Sequence, residues 1–258
     1  MRSYNLVLDI GNTHIVLGIY QEKELVKSYR MNSDKYKTED EYYILVKQLI
    51  EESIALNEIR ITVICSVVPE LERVFVHLVE KYLNSKFIII NSETELDLTF
   101  PMKDPSFIGS DLLINAYAAR NLYEDNCIIC DFGTATTVQL VGADGFFYGT
   151  TITPGVINSS AHLFKKASLI SSVQLGIPKK ILGTTTKDAL LSGIINGNTF
   201  LIEGIIEHIK AEYSELKSFK VIATGGIAQL IYCNTDSIDI INKNLTLYGL
   251  NSIGNKQI

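Results

Sequence analysis

The sequence predicts an α/β protein built from two similar halves. The first observation is a repeated stretch. Leu6 to Thr13 reads LVLDIGNT, and Ile128 to Thr137 reads IICDFGTATT. In each, an apolar run ends in an aspartate and a glycine follows two residues later; Asn12-Thr13 comes next in the first, and a cluster of small hydroxyl residues in the second. The aspartates stand at positions 9 and 131, a spacing of 122 in a chain of 258. The second observation is an alternation of β-type runs with helix-type patterns, which implies parallel pairing with helices laid on the sheet. The third is composition. At 47% hydrophobic and 20% charged the chain is an ordinary globular one, long enough for one large domain or two small ones. The repeat predicts a division into residues 1–117 and 118–258.

Each half opens on a hairpin. Residues 4–20 form strand, tight turn, strand, and residues 24–31 add a third strand. Thr38 can cap the next helix, with Glu41 closing a capping box ahead of Ile44, Leu45, Leu49 and Ile50. Ile61 to Val68 is rich in β-branched residues and reads as a strand. Pro69 suits the first turn of a helix to about Leu83. Phe87 to Ile90 is a further buried strand, and residues 92–108 are a loop punctuated by Pro101 and Pro105. A helix from Ser110 to Tyr123 then carries Asp111 in its first turn.

The second half repeats the plan. A hairpin spans Cys127 to Val141, and a third strand runs from about Phe146 to Ile152. After the Thr153-Pro154-Gly155 turn a helix extends to about Ile170, and residues 171–184 are a loop. A long apolar helical region covers Thr186 to Tyr213. Gly193, Gly197 and Gly204 share one face of it, which predicts a backbone packed closely there. Lys220 to Ala223 is a strand, and Thr224-Gly225-Gly226 opens another helix.

The two turns have a chemistry in common. Gly11 and Gly133 are expected to take positive φ and bring backbone close to a ligand. Successive N–H groups make an anion-binding concavity. Asn12, Thr13, Thr134, Thr136 and Thr137 add side-chain donors. A carboxylate at the strand end can hold a cation that neutralises phosphate charge. Two such turns facing each other would clamp a polyphosphate.

Other classes recede. Net charge is −6 with no basic tract, which argues against nucleic-acid binding. The N-terminal apolar run is short and broken by Asp9, unlike a signal peptide, and no run of about 18 apolar residues suggests a membrane span. The expected location is the cytoplasm. Cys127 and Cys130 form a C-x-x-C, but in a strand those two side chains point to opposite faces, and no second pair completes a zinc site. Cys65 and Cys233 read as core fillers. His14, His77, His162 and His208 have neither metal nor triad spacing, and only His14 lies beside a turn.

Duplicated D-x-G turns followed by threonine and a later T-G-G resemble the actin-like ATPase superfamily. Further motifs sharpen the resemblance to type III pantothenate kinases. They are DIGNT at Asp9–Thr13, DPSFIGSD at Asp104–Asp111, DFGTATT at Asp131–Thr137, SVVP at Ser66–Pro69, ITPG at Ile152–Gly155 and GTTTK at Gly183–Lys187. The resemblance covers essentially the whole chain. It implies two duplicated actin-like (ribonuclease H-like) lobes around a nucleotide cleft. The implied reaction is ATP-dependent phosphorylation of pantothenate to 4′-phosphopantothenate, the first step of coenzyme A biosynthesis.

The same resemblance implies residue roles. Asp9, Ile10, Gly11, Asn12, Thr13, His14, Ile15 and Val16 would line the ATP phosphates, with Asp9 near Mg²⁺. Gly133, Thr134 and Thr136 would also contact ATP. Asp111 would be the catalytic base. Met102, Gly109, Ser110, Asp111, Leu112 and Thr186 would contact pantothenate, in a site at a homodimer interface. Asp131 would hold a monovalent cation, K⁺ or NH₄⁺. The chain departs from the family's pattern on the acceptor side. Leu112 stands where Arg is usual, Met102 where many members have Tyr, and Asp104 where Asn is common; Gly149-Thr150 replaces a paired glycine. The competing expectations are a non-catalytic nucleotide-binding relative acting through partners, which Leu112 favours, and a phosphatase of the same superfamily. No helix-turn-helix precedes Asp9, which argues against a repressor.

Overall fold

A computed structural model describes residues 3–166 and 174–257. The chain forms two compact units. The first comprises Met1–Asp97, Met102–Ala118 and Asn244–Ile258; the second comprises Leu98–Pro101 and Ala119–Lys243. Two segments depart from the sequence division near residue 117: Leu98–Pro101 groups with the second unit and the C-terminal segment with the first.

The first unit contains β1 (Tyr4–Ile10), β2 (His14–Gln21), β3 (Glu24–Asn32), α1 (Glu39–Glu51), β4 (Ile59–Ser66), α2 (Pro69–Leu78), β5 (Lys86–Ile90) and the start of α3 (Ser110–Tyr123). Its sheet order is β3-β2-β1-β4-β5. The first three strands are antiparallel neighbours, whereas β4 and β5 join in parallel. The second unit contains β6 (Cys127–Phe132), β7 (Ala135–Val141), β8 (Phe147–Pro154), α4 (Val156–Lys166), α5 (Thr186–Glu212), β9 (Lys220–Gly225), α6 (Ala228–Tyr232) and β10 (Ile240–Ile241). Its order is β10-β9-β6-β7-β8, the same connectivity read from the opposite edge. The repeated sequence is therefore a repeated topology.

Local chemistry fixes the elements. Thr38 accepts from the Glu41 N–H and the Glu41 carboxylate accepts from the Thr38 N–H, the expected capping box of α1. Pro69 occupies the first turn of α2, where its missing N–H costs nothing. Past Leu78 the helix widens into a π turn over Val79–Leu83 and ends at left-handed Asn84.

β1 is buried on both faces. Leu6, Leu8 and Ile10 join Tyr42, Val46 and Ile50 of α1 and Leu71 and Phe75 of α2 in one core. The other face meets a final helix, α7 (Leu245–Lys256), through the Asn5 Nδ2 to Asn251 Oδ1 bond of 2.7 Å. Neither β10 nor α7 was expected from sequence. A two-residue strand has no period to read, and α7 carries Gly249, Gly254 and two asparagines, all poor helix formers.

Three expectations need amendment. The helix placed at 156–170 is described to Lys166, and its expected end lies outside the described residues. Cys233 is exposed rather than core, because it caps short α6 on its outer side. Helix α5 is long and apolar enough, by length and composition, to cross a membrane. The face bearing Ile195, Ile202 and Ile206 is packed into the core of the second unit, while Phe200 and Leu201 are exposed.

Candidate active site

The first turn joins β1 to β2. The Gly11 N–H donates to the His14 carbonyl at 3.0 Å, and the Ser33 N–H holds the Thr13 carbonyl at 3.0 Å. The Ser33 hydroxyl donates to the Gly11 carbonyl. Asn12, Thr13 and His14 are exposed, and Asp9, Gly11 and Val16 are half-buried. Ile10 and Ile15 are core residues, so only their backbone can meet a ligand. Gly11 and Gly133 are not among the positive-φ glycines, which corrects the sequence expectation. Each follows the last residue of its strand, and the chain reverses there.

The end of β4 builds a second layer beside this turn. In the parallel register Asp9 lies beside Cys65 and Ile10 beside Ser66, and the Val67 N–H donates to the Ile10 carbonyl at 3.1 Å. Cys65 is fully buried, and its S–H donates to Ser110 Oγ at 3.3 Å. The Ser110 hydroxyl in turn donates to the Ser66 carbonyl at 2.7 Å. These bonds bring the first turn of α3, with Asp111, to the strand end that carries Asp9. Burial pushes the Cys65 thiol well above its usual range, and the charges of Asp9, Asp111 and Glu72 push the same way. Asp9 from β1, Glu72 from α2 and both Ser110 and Asp111 from α3 are thus within electrostatic reach of one thiol.

Asp111 is half-buried. Burial raises its carboxyl pKa above the usual 3.8, opposed by the Leu112 N–H, which donates to Oδ1 at 2.8 Å. Burial likewise raises Glu72. A carboxylate short of water is a stronger base, which is what a proton acceptor in catalysis needs.

The second turn repeats the geometry. Asp131 lies in register with Thr137 of β7 and Thr224 of β9, and the Gly133 N–H donates to the Ala135 carbonyl at 3.1 Å. Gly225 has φ +94°, and a Cβ there would fall 2.6 Å from Asp131 Oδ1 and from Phe132 backbone atoms. Only glycine lets β9 end so close to the carboxylate. Gly155 backs the same turn, since its Cβ would stand 2.3 Å from the Thr134 carbonyl oxygen. Gly133 and Thr134 are exposed. Buried Thr136 Oγ1 finds no hydrogen-bond partner among the described residues, so it is a donor with capacity to spare.

The expected acceptor contacts separate. Gly109, Ser110 and Asp111 lie together, and Met102 is half-buried in the same unit. Leu112 is 6% exposed and belongs to the core, so its side chain does not offer a substrate contact. The Ser110 hydroxyl is committed to protein atoms. Thr186 lies in the second unit, on an open groove of about 580 Å³ with Ser159, Ser160, Ile194 and Asn198. Sequence reasoning took Cys65 for a filler. The signal that could have placed it was its position at a strand end two residues before Val67-Val68-Pro69, level with Asp9. Among the described residues no cluster of three or more His, Cys, Asp or Glu could hold a metal ion alone. One carboxylate per turn does suit a Mg²⁺ that takes its other ligands from phosphate and water.

A family model described as type III pantothenate kinase matches residues 5–208. The chain belongs to the type III pantothenate kinase family. Membership makes it a kinase, a phosphotransferase. The match takes in the Asp9 and Asp131 turns and Asp111, and ends before Gly225 and α7. Solved structures share the fold. A conserved Campylobacter jejuni protein named for the Baf family of transcriptional activators superposes with TM-score 0.59 at 21% identity, over 98% of each chain. A Sinorhizobium meliloti protein named as a 2-dehydro-3-deoxygalactonokinase gives 0.58 at 12% identity, over 98% of this chain and 96% of that one. The activator of the 2-hydroxyisocaproyl-CoA dehydratase from Clostridium difficile, with bound ADPNP, gives 0.50 at 13% identity, over 99% and 98%. The fold is therefore that of actin-like ATPases and sugar kinases.

Proposed function

We propose that this kinase transfers the γ-phosphoryl group of ATP to pantothenate, giving 4′-phosphopantothenate and ADP. The observation that supports it best is Asp111, a half-buried carboxylate of raised pKa tied by Ser110 to the strand end bearing Asp9. Phosphoryl transfer asks a protein chiefly for positioning and charge neutralisation. Asp111 accepts the proton of the attacking hydroxyl, the one proton transfer the reaction needs. Asn12, Thr13 and the backbone of the first turn are read as phosphate contacts, and so are Gly133, Thr134 and Thr136 of the second turn. Asp9 would hold Mg²⁺ and Asp131 a monovalent cation; bound there, the ions neutralise charge on the phosphates. Thr186 and Met102 are read as acceptor contacts.

A homodimer belongs to the same reading. Among the described residues nothing lies within 4 Å of a Cβ built on Gly193, Gly197 or Gly204, so this glycine face is open there, which supports close packing against a second copy. Sedimentation at micromolar concentration reports the state directly. For the reaction, the purified protein is incubated with ATP, Mg²⁺, K⁺ and pantothenate, and 4′-phosphopantothenate is sought by mass spectrometry. The expected result is product in step with ADP. Nucleotide binding without product would favour the non-catalytic reading, which buried Leu112 in place of the usual Arg supports.

A further inference from the structure

The base must be held still to work. Buried Leu112 and Leu113 seat the first turn of α3 in the core, and polar contacts set the edge that carries Asp111. Gly109, which precedes the helix, has no side chain to cap it. A Cβ built there would stand 2.5 Å from Asp111 Oδ1, so the carboxylate folds back over the glycine. In that place Oδ1 accepts the Leu112 N–H. These contacts are local to the first turn of α3 and do not tie it to the sheet. The tie is made by Ser110, 8% exposed, between the Cys65 thiol and the Ser66 carbonyl. Ser66 pairs with Ile10, and Ile10 precedes the Gly11–Thr13 turn. A short path therefore runs from the phosphate turn through β4 and one hydroxyl to the base.

We infer that Ser110 is a positioning residue, whose hydroxyl bonds the first turn of α3 to the Ser66 carbonyl and so sets Asp111 relative to the Asp9 turn. This replaces the substrate contact expected of Ser110 from sequence. It rests on the reading of Asp111 as the base. The mechanism is geometric. A displacement of about 1 Å in a reacting group can cost on the order of 100-fold in rate. Ser110→Ala removes the hydroxyl, leaving the Ser66 carbonyl without its donor and the Cys65 thiol without its acceptor, while Asp111 itself is unchanged. The ionisable groups facing this spot are Asp9 from β1, Cys65 from β4 and Glu72 from α2.

The test compares the parent with Ser110→Ala, Ser110→Thr and Ser110→Cys in pantothenate kinase turnover. In Ser110→Ala, kcat should fall about 10- to 100-fold with KM for ATP within about twofold, and the acid limb of the pH profile should move to lower pH. That move follows because a loosened carboxyl gains water, and burial, the larger cause, outweighs the opposing loss of the Leu112 N–H. Ser110→Thr keeps the hydroxyl and should recover most of kcat, with the acid limb back in place. Ser110→Cys, a weaker donor, should fall between. Parent-like kcat in Ser110→Ala overturns the inference, as does a loss of kcat with an unmoved acid limb and a lowered melting temperature. If Ser110→Ala does not fold, parent-like kcat in Ser110→Cys overturns it. A parent that makes no 4′-phosphopantothenate defeats the proposed reaction instead. Ser110 is then judged by crystal structures, where Asp111 should leave the Leu112 N–H in Ser110→Ala and return in Ser110→Thr; an unmoved carboxylate refutes the positioning role.

Discussion

Asp111→Asn separates a catalytic carboxylate from a helix-end carboxylate, and the structure sets both expectations. The side chain is half-buried with Oδ1 2.8 Å from the Leu112 N–H. Asparagine has the same shape, and its oxygen can accept the same bond. What changes is the charge and the ability to take a proton. Loss of a general base costs about 10²- to 10⁴-fold in turnover, or roughly 3–5 kcal/mol of barrier. Stability should move the other way. Burial raises the folded pKa above the usual 3.8, so folding favours the protonated form. The associated stability is fully present below the unfolded pKa and is lost as pH rises through the folded pKa. At neutral pH the parent carries that loss and the asparagine variant does not. The variant should therefore melt no lower than the parent at pH 7, and any advantage should vanish in acid. Turnover is read by coupled ADP release with product confirmed by mass, and melting by calorimetry at several pH values. Near-parent turnover refutes the base assignment. A large fall in melting temperature with loss of ATP binding refutes the account of the environment.

Gly225→Ala should cost about 1–2 kcal/mol for its positive φ and about 1–3 more for the 2.6 Å contacts with Asp131 and Phe132, seen as a melting temperature lower by several degrees. Asp131→Asn should weaken the response of turnover to K⁺, because that turn loses its carboxylate charge; full activity with the parent's K⁺ dependence counts against the cation role. Leu112→Arg would bring the family's usual residue to a position 6% exposed. It should lower the melting temperature without raising turnover, since an unpaired guanidinium is expensive to bury, and an activity gain at unchanged stability would show that Leu112 faces the acceptor.

Much of this was legible in the chain. The Asp9 and Asp131 turns, the capping box at Thr38 and Glu41, Pro69 and the alternating apolar runs are local signals, each readable within a few residues. What escaped depends on neighbours distant in sequence. Cys65 looks like any apolar strand residue until the parallel register sets it beside Asp9. Ser110 looks like a substrate contact until α3 brings its hydroxyl to the Ser66 carbonyl. Leu112 sits in a functional motif, and only its burial shows that it serves the core. Helix α7 has too many glycines and asparagines to announce itself, and its packing surface rather than its propensity makes it helical.

That last helix bears on the order in which the chain can become a protein. Asn5 bonds Asn251 across 246 positions of sequence, and Arg60 reaches the Gly254 carbonyl at 3.4 Å. During synthesis the strands bearing Asp9 and Cys65 emerge first, yet one face of their sheet stays bare until residues 245–256 follow. The second unit needs almost nothing made after Lys243. The unit begun first is thus the one finished last. A ribosome stalled or a chain cut before Leu245 leaves Val7 and Val63 open to water beside a sheet otherwise complete, a sticky surface of the kind chaperones hold.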